Sequence, residues 1–191
     1  MQELLDVVDF SGKPLGMAKP RPAIHRDGDW HRTVHVWIVN KQGDVLFQKR
    51  APDRESYPGA WDVSCAGHVS SGETPVHAAK KELFEELGIR TAARELQHLF
   101  SVTTSSSQHN GLFIDNEISD VYLMRKNIAI AGLSLQRSEV TEARYFPIST
   151  LHRIAASPDP DFAPHPEEYR RLHEFLFGQK ASRRRPNSEG G

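Results

Sequence analysis

The sequence predicts an α/β domain, with strands gathered into a mixed β-sheet and helices interleaved among them. Three observations lead there. Residues 34–39 and 45–50 are strand-like runs joined by the turn Asn40-Lys41-Gln42-Gly43-Asp44, which reads as a hairpin. Residues 75–87 read as an amphipathic helix carrying its own start and stop signals. Further strand candidates at 96–104, 118–124 and 142–146 lead into two more helices, at 149–156 and 166–177.

In chain order, residues 4–10 (LLDVVDF) can form a short strand, Ser11-Gly12-Lys13-Pro14 a turn, and residues 15–18 a second short strand. Pro20 and Pro22 are expected to break regular structure. Residues 61–66 lead, as a strand, into the central helix. There Thr74 suits the N-cap, and Pro75 suits the first helical position, where a missing N–H costs nothing. Gly88 suits the left-handed residue that ends a helix, and Val76, Ala79, Leu83 and Leu87 form one apolar stripe. Residues 105–111 read as a polar loop and 132–137 as another. Pro147 ends the strand at 142–146, and Pro158, Pro160 and Pro164 make an irregular link. The helix at 166–177 has Tyr169, Leu172, Phe175 and Leu176 on its apolar side, and the tail after it is expected to be disordered. The division expected is an N-terminal extension, 1–30, packed on a domain of 31–178, with the tail at 179–191.

Composition narrows the class. A chain of 191 residues can bury a sizeable core in one domain. The net charge of −1 gives no global electrostatic case for nucleic acid or an anionic membrane as partner. Cys65 is the only cysteine, so no intramolecular disulfide can form. No signal peptide or transmembrane run is visible, and the default location is cytoplasmic.

The chemistry concentrates in residues 67–89, GHVSSGETPVHAAKKELFEELGI, which hold Glu73, Glu82, Glu85 and Glu86. At about 100° per residue, Glu82 and Glu86 lie about 40° apart on the helix surface, beside the apolar stripe. Like charges at that spacing destabilise an isolated helix, and a divalent cation turns the repulsion into coordination. A bare ExxEE is more often a solvated acidic face, but here the spacing is longer and more specific. Gly67, five residues, Glu73, seven residues, then Lys81-Glu82-Leu83-Phe84-Glu85-Glu86-Leu87-Gly88-Ile89 resembles the Nudix box, the loop–helix motif of the Nudix hydrolases. The resemblance implies the Nudix fold, a mixed β-sheet sandwiched between α-helices. One position departs: Lys81 stands where the family usually has Arg, and Lys lacks the planar bidentate fork.

Outside the box, His25, His31, Trp37, Arg50, Arg54, Pro58-Gly59, Trp61, Gly67-His68 and Asn116-Glu117 resemble Nudix proteins related to isopentenyl-diphosphate isomerase. This likeness implies a divalent metal on His25, His31, His68 and Glu117, with Asp115 where a Glu is expected, and a diphosphate gripped by Arg50 and Arg54. His25 and His31 have a plain structural alternative as surface or capping residues, His35, alternating within a strand, reads as structural, and His68, beside Gly67, is better placed for a site. Two departures oppose isomerase chemistry. Ala66 occupies the place of the isomerase cysteine, with Cys65 one residue out of register, and His165 is the best local match to a tryptophan that faces the cationic intermediate.

The function expected is metal-dependent cleavage of a diphosphate linkage in a nucleoside diphosphate linked to another moiety, by water attack at phosphorus. An isopentenyl-diphosphate isomerase and a Nudix-like binding module without turnover are the alternatives. Glu82, Glu86 and Glu85 are expected to hold Mg2+ or Mn2+, with Glu73 and Lys81 supporting them and a second, transition-metal ion allowed on the histidines. Glu86, Glu117 and Glu142 are the candidates for general base. The partner expected is a small-molecule diphosphate, with neither nucleic acid nor membrane, and a homodimer is left open.

Overall fold

The computed structural model describes residues 2–183. Strand β3 (His31–Val39) is its axis. It pairs in parallel with β8 (Phe113–Arg125) along its full length, from His31↔Glu117 to Val39↔Arg125. Its other edge is shared. Val39 pairs with Val45 of β4 (Val45–Arg50), while Thr33–Val36 pair antiparallel with β6 (Cys65–His68). β5 (Trp61–Asp62) and β9 (Val140–Phe146) both pair antiparallel with β4, and β7 (Gln97–Gln108) pairs antiparallel with β8. The result is a seven-stranded mixed sheet, with β1 (Leu4–Val8) and β2 (Pro14–Pro20) forming a separate two-stranded one.

Side chains on β3 alternate between two cores, as the period of two requires. Val34, Val36 and Ile38 pack with Leu46, Cys65, Leu83 and Leu87 on the side of α2 (Pro75–Leu87). Trp37 and Val39 pack with Phe47, Val121, Leu151, Tyr169 and Leu172 on the side of α3 (Ser149–Ala156) and α4 (Pro166–Arg183). The sheet is thus sandwiched between helices, as expected.

Helix α2 matches its sequence signals. Pro75 sits at the helix start and Gly88 ends it at φ +73°, although Thr74 caps through backbone alone, its side chain making no cap hydrogen bond. Three expectations need correction. Pro20 and Pro22 do not break the chain: β2 runs to Pro20, and helix α1 (Arg21–Asp27) starts at once, with Pro22 in the first turn, where its missing N–H goes unused. The expected loop at 105–111 is mostly strand. Ser105 pairs with Asn116 and Ser106 with Asp115, and the chain reverses only at a tight turn through Asn110 (φ 58°) and Gly111. Polar residues do not end a ladder whose two faces meet solvent. The last helix, expected to stop at residue 177, continues to Arg183, and the rest of the expected tail, from residue 184, lies outside the described residues.

The N-terminal segment is tied to the domain beside α2. Leu5 bridges Ser70, Ser71 N–H donates to Leu4 O at 2.8 Å, and Asp6 accepts from Ser71 Oγ and Gly72 N. Helix α1 is held against β8 by Asn116 Nδ2 donating to Gly28 O at 2.8 Å. Among the described residues no helix is long and apolar enough to cross a membrane.

Candidate active site

Where β6 peels β3 away from β4, a cavity of about 280 Å3 opens, and α2, α1, the start of β8 and the start of α4 close around it. It brings together Glu82, Glu85, Glu86, Lys81, His68, Asp115, Glu117, Arg50 and Arg54 from the sequence-derived set.

The helix carboxylates form one wall. Gly67 makes this possible, because a Cβ there would lie 2.3 Å from Glu82 Cγ and Cδ. Helix and strand therefore touch through Glu82 itself. Glu86 is 3% exposed, with Oε2 accepting from Ala66 N–H at 3.4 Å. Burial raises Glu82 to about 7 and Glu86 to about 8. Two acids on one helix turn, Glu86 buried and Glu82 half-buried with Lys81 Nζ at 3.3 Å, suit a divalent cation. Glu85 is exposed at the rim. Glu73 does not line the cavity. It accepts from Ser70 N–H at 3.3 Å, meets His77 Nδ1 at 2.6 Å and lies 3.7 Å from Lys81 Nζ. Lys81 thus bridges Glu73 and Glu82, so a point charge does the bridging where a fork was expected.

On the second wall His68 lines the cavity, while His25 and His31 do not line it and stand against His68. His25 comes from α1, His31 from the start of β3, His68 from the end of β6, and their ring centroids are 4.9, 5.5 and 5.3 Å apart. The register His31↔Glu117 and Thr33↔His68 sets this convergence. His31 Nδ1 lies 3.1 Å from Asp29 O and His25 Nδ1 3.3 Å from Ile114 O, so each Nδ1–H donates and each Nε2 is left with its lone pair. Nε2 of His25, His31 and His68 and Oδ1 of Asp115 are all buried without a hydrogen bond. Burial lowers His31 to about 4 and holds His68 well below its usual value, so both are neutral. Lone pairs left unmet fit a metal ion: ligand atoms of His25, His31 and His68 lie within 4.8 Å of one another, as do those of His31, Asp115 and Glu117. Asp115, one methylene short of the expected Glu, still reaches 3.9 Å from His31 Nε2, and Glu117 Oε1 lies at 3.8 Å.

Both arginines line the cavity, but each is already engaged. Arg50 donates to Ser56 O, Ser56 Oγ and Asp62 Oδ2 at 2.8–2.9 Å, and Arg54 Nη1 lies 2.9 Å from Glu139 Oε2. Glu142, one of the base candidates, does not line it. Its side chain is 42% exposed and paired with Arg144, while Glu139 takes that side of the cavity. Sequence reasoning also passed over Arg21, Asp62 and Glu168 and treated His35 as structural. Asp62 carried a signal only in hindsight, as an acid in the mostly apolar run 60–66, and Glu168, one of two adjacent acids at a helix start, carried none.

A NUDIX domain model matches residues 29–172. The chain is 38% identical over 180 residues to Nudix hydrolase 3 of Arabidopsis thaliana, which covers 92% of this chain and 23% of that protein. It is 35% identical over 116 residues to an isopentenyl-diphosphate Delta-isomerase of Pectobacterium atrosepticum, covering 61% of this chain and 62% of that one. The chain therefore spans less than two thirds of either relative. A solved structure of DR0079 from Deinococcus radiodurans superposes with a TM-score of 0.64 at 25% identity, covering 88% of this chain and 98% of that one. The chain belongs to the Nudix hydrolase family, and some of the relatives it is similar to are named isopentenyl-diphosphate Delta-isomerases.

Two outcomes follow from the helix wall. In Gly67→Ala the new methyl displaces Glu82, and magnesium or manganese affinity by calorimetry is expected to fall about 10-fold or more, with the circular dichroism spectrum unchanged. The second concerns pH. Glu82 and Glu86 titrate near 4.5 when unfolded but at about 7 and about 8 when folded, so the metal-free native state binds the extra protons between those limits. Stability then falls as pH rises through that window. The Tm of EDTA-treated protein is expected to drop from about pH 5 to about pH 8, and to drop less in Glu86→Gln.

Proposed function

We propose that this chain is a metal-dependent hydrolase that cleaves a diphosphate linkage in a nucleoside diphosphate linked to another moiety, such as a nucleoside triphosphate, a sugar nucleotide or a dinucleotide. The observation that carries the reading is the pair of carboxylates on one helix turn, buried Glu86 and half-buried Glu82 with Lys81 as its cation, facing a cavity of small-molecule size within a box that retains all four glutamates. A Mg2+ or Mn2+ ion on these carboxylates would neutralise phosphate oxygens and make bound water more acidic. The chain's own groups do the rest. Lys81 holds Glu82 in place, Glu73 holds Lys81, and Arg54 and Arg21 supply positive charge on the cavity wall. Tyr57 and Phe113 line the same cavity and offer ring faces to a base.

The histidine cluster favours a second reading, isomerisation of an isoprenoid diphosphate, because it matches the metal ligands that the isomerase resemblance implies. Two observations weigh against it. Ala66, not Cys65, lines the cavity. Cys65 is fully buried on the α2 side, and burial with Glu86 beside it pushes its thiol well up. The histidine site is better read as a second metal site of a hydrolase, holding a transition metal through imidazole nitrogen.

A panel of nucleotide and isoprenoid diphosphates with magnesium and manganese, with products identified by mass, separates the readings. Hydrolysis products are expected, and isomerised isoprenoid diphosphate alone would favour the second reading. Glu86→Gln is expected to lower kcat more than about 100-fold, since losing a group that merely orients a ligand already costs about 10–100-fold. In His31→Ala, metal analysis of the purified protein is expected to show loss of bound manganese, iron or zinc, while magnesium titration by calorimetry still detects the helix site. Unchanged transition-metal content would remove the histidines from metal binding.

A further inference from the structure

The floor of the cavity holds two imidazoles, each with a carboxylate behind it; with Glu168 they bring ligand-type atoms within 4.8 Å of one another, but both Glu168 oxygens are taken by hydrogen bonds. His35 Nδ1–H donates to Glu168 Oε2 at 2.8 Å, and Glu168 Oε1 accepts from Trp37 Nε1–H at 2.6 Å. His165 Nε2–H donates to Asp62 Oδ1 at 2.9 Å. The two rings are 5.2 Å apart.

The protons on His165 are dictated by its partner. Asp62 is buried and accepts from Arg50 Nη1 at 2.8 Å and from Val63 N–H at 2.8 Å. Burial works against its charge, but the His165 ring, Arg50 and His35 together hold the carboxyl well below the usual carboxylate range. An ionised carboxylate has no proton to give, so Nε2 of His165 must carry the hydrogen. That leaves Nδ1 with a lone pair. Nδ1 makes no hydrogen bond among the described residues, and the side chain is 18% exposed where it lines the cavity. His35 is built the other way. Burial disfavours its charge, yet Glu168 raises its pKa, so it is held as a donor. The titratable and charged groups facing His165 are Asp62 from β5, Arg50 from β4, His35 from β3, Glu117 from β8, and Glu168 and Tyr169 from its own helix. Glu86 and Glu117, the acids first considered as base, are committed to holding cations in the reading above. A carboxylate so engaged is a poor acceptor for a further proton.

We propose that His165 is the general base of the hydrolysis, with Asp62 as the residue that positions it. This rests on the hydrolase reading and deepens it. Nδ1 takes a proton from a cavity water as the water oxygen bonds to phosphorus. The bridging P–O bond breaks, its electron pair leaves with the departing phosphate, and the proton passes from His165 to bulk solvent through the cavity mouth. Atoms balance as water plus diphosphate linkage giving two phosphate groups and one proton, with no further reactant.

The test uses the full chain with two independent readouts. Nitrogen-15 NMR of the ring is expected to show Nε2 protonated and Nδ1 bare at about pH 8 in the wild type, with the second tautomer appearing in Asp62→Asn. A protonated Nδ1 in the wild type would overturn the proposal whatever the enzyme hydrolyses. For turnover, His165→Ala is expected to lose about 10²–10³-fold in kcat with KM changed less than about threefold, and added imidazole to restore at least about tenfold of the loss. His165→Gln guards against misfolding, because its amide N–H can still donate to Asp62 while offering no base. A folded His165→Gln protein with wild-type metal content and wild-type kcat would sink the proposal. If the wild type hydrolyses no diphosphate in the panel, the hydrolase reading fails instead, and the ring tautomer still decides whether His165 is built as an acceptor.

Discussion

The structure depends on the split edge of β3. One edge is fully occupied by β8, nine residue pairs in parallel from His31 to Val39. The other edge belongs to β4 at one end and to β6 at the other. A strand cannot give the same backbone groups to two neighbours, so β4 and β6 must diverge, and the gap between them is the cavity. Everything chemical is placed by that gap. β6 delivers Gly67 and His68, β3 delivers His31 and His35, β8 delivers Asp115 and Glu117, and α2 closes over β6 with Glu82 and Glu86. The close approach at Gly67 is what lets α2 lie near enough for its carboxylates to reach the gap.

The gap is then filled with groups that leave each other unsatisfied. Two acids are raised by burial on one wall, and three imidazole nitrogens and a carboxylate oxygen lack hydrogen bonds on the other. Among the described residues the other unmet buried side-chain atoms are Arg21 Nε and Gln48 Oε1, from residues that line the cavity, and Gln108 Nε2, while other buried polar groups are paired. Thr33 Oγ1 donates to Ser119 Oγ, Ser64 Oγ donates to Leu46 O, and Arg32 is paired with Asp120. An unmet buried polar atom costs about 1–3 kcal/mol, so a cluster of them marks where something else binds.

Legibility in the sequence followed the range of the interaction. The central helix was readable almost residue by residue, because its signals are local: Pro75 at its start, Gly88 at its end, and an apolar stripe between. Helix α3 was equally plain at 149–156. The carboxylates and histidines were found through resemblance to a known motif, and their convergence could not be read from spacing, since it is made by the pairing of β3 with β6 and β8 over long separations. The misses share a cause. Pro20 and Pro22 signal a break only if the helix start that uses Pro22 is not foreseen. The serine run at 105–107 looks like loop unless its partner strand is known. Asp62 and Glu168 are plain acids in sequence, and their roles exist only because α4 returns across the sheet to set Glu168 against His35 and Trp37, and His165 against Asp62.

The histidine cluster does not by itself distinguish hydrolysis from isomerisation, since either chemistry begins by fixing a diphosphate beside a cation. The distinction lies in what meets the reacting atoms. Protonating and deprotonating an unactivated alkene calls for a thiol in the cavity and an electron-rich ring beside the cation. Here the wall residue is Ala66, the thiol lies on the opposite face of β6, and the place of the ring is held by an imidazole hydrogen-bonded to a carboxylate. An indole face attracts a carbocation, whereas an imidazole with a bare nitrogen attracts a proton. On the proposed reading, an imidazole at this place together with all four glutamates of the motif suits the cavity to activating water rather than to sheltering a cation.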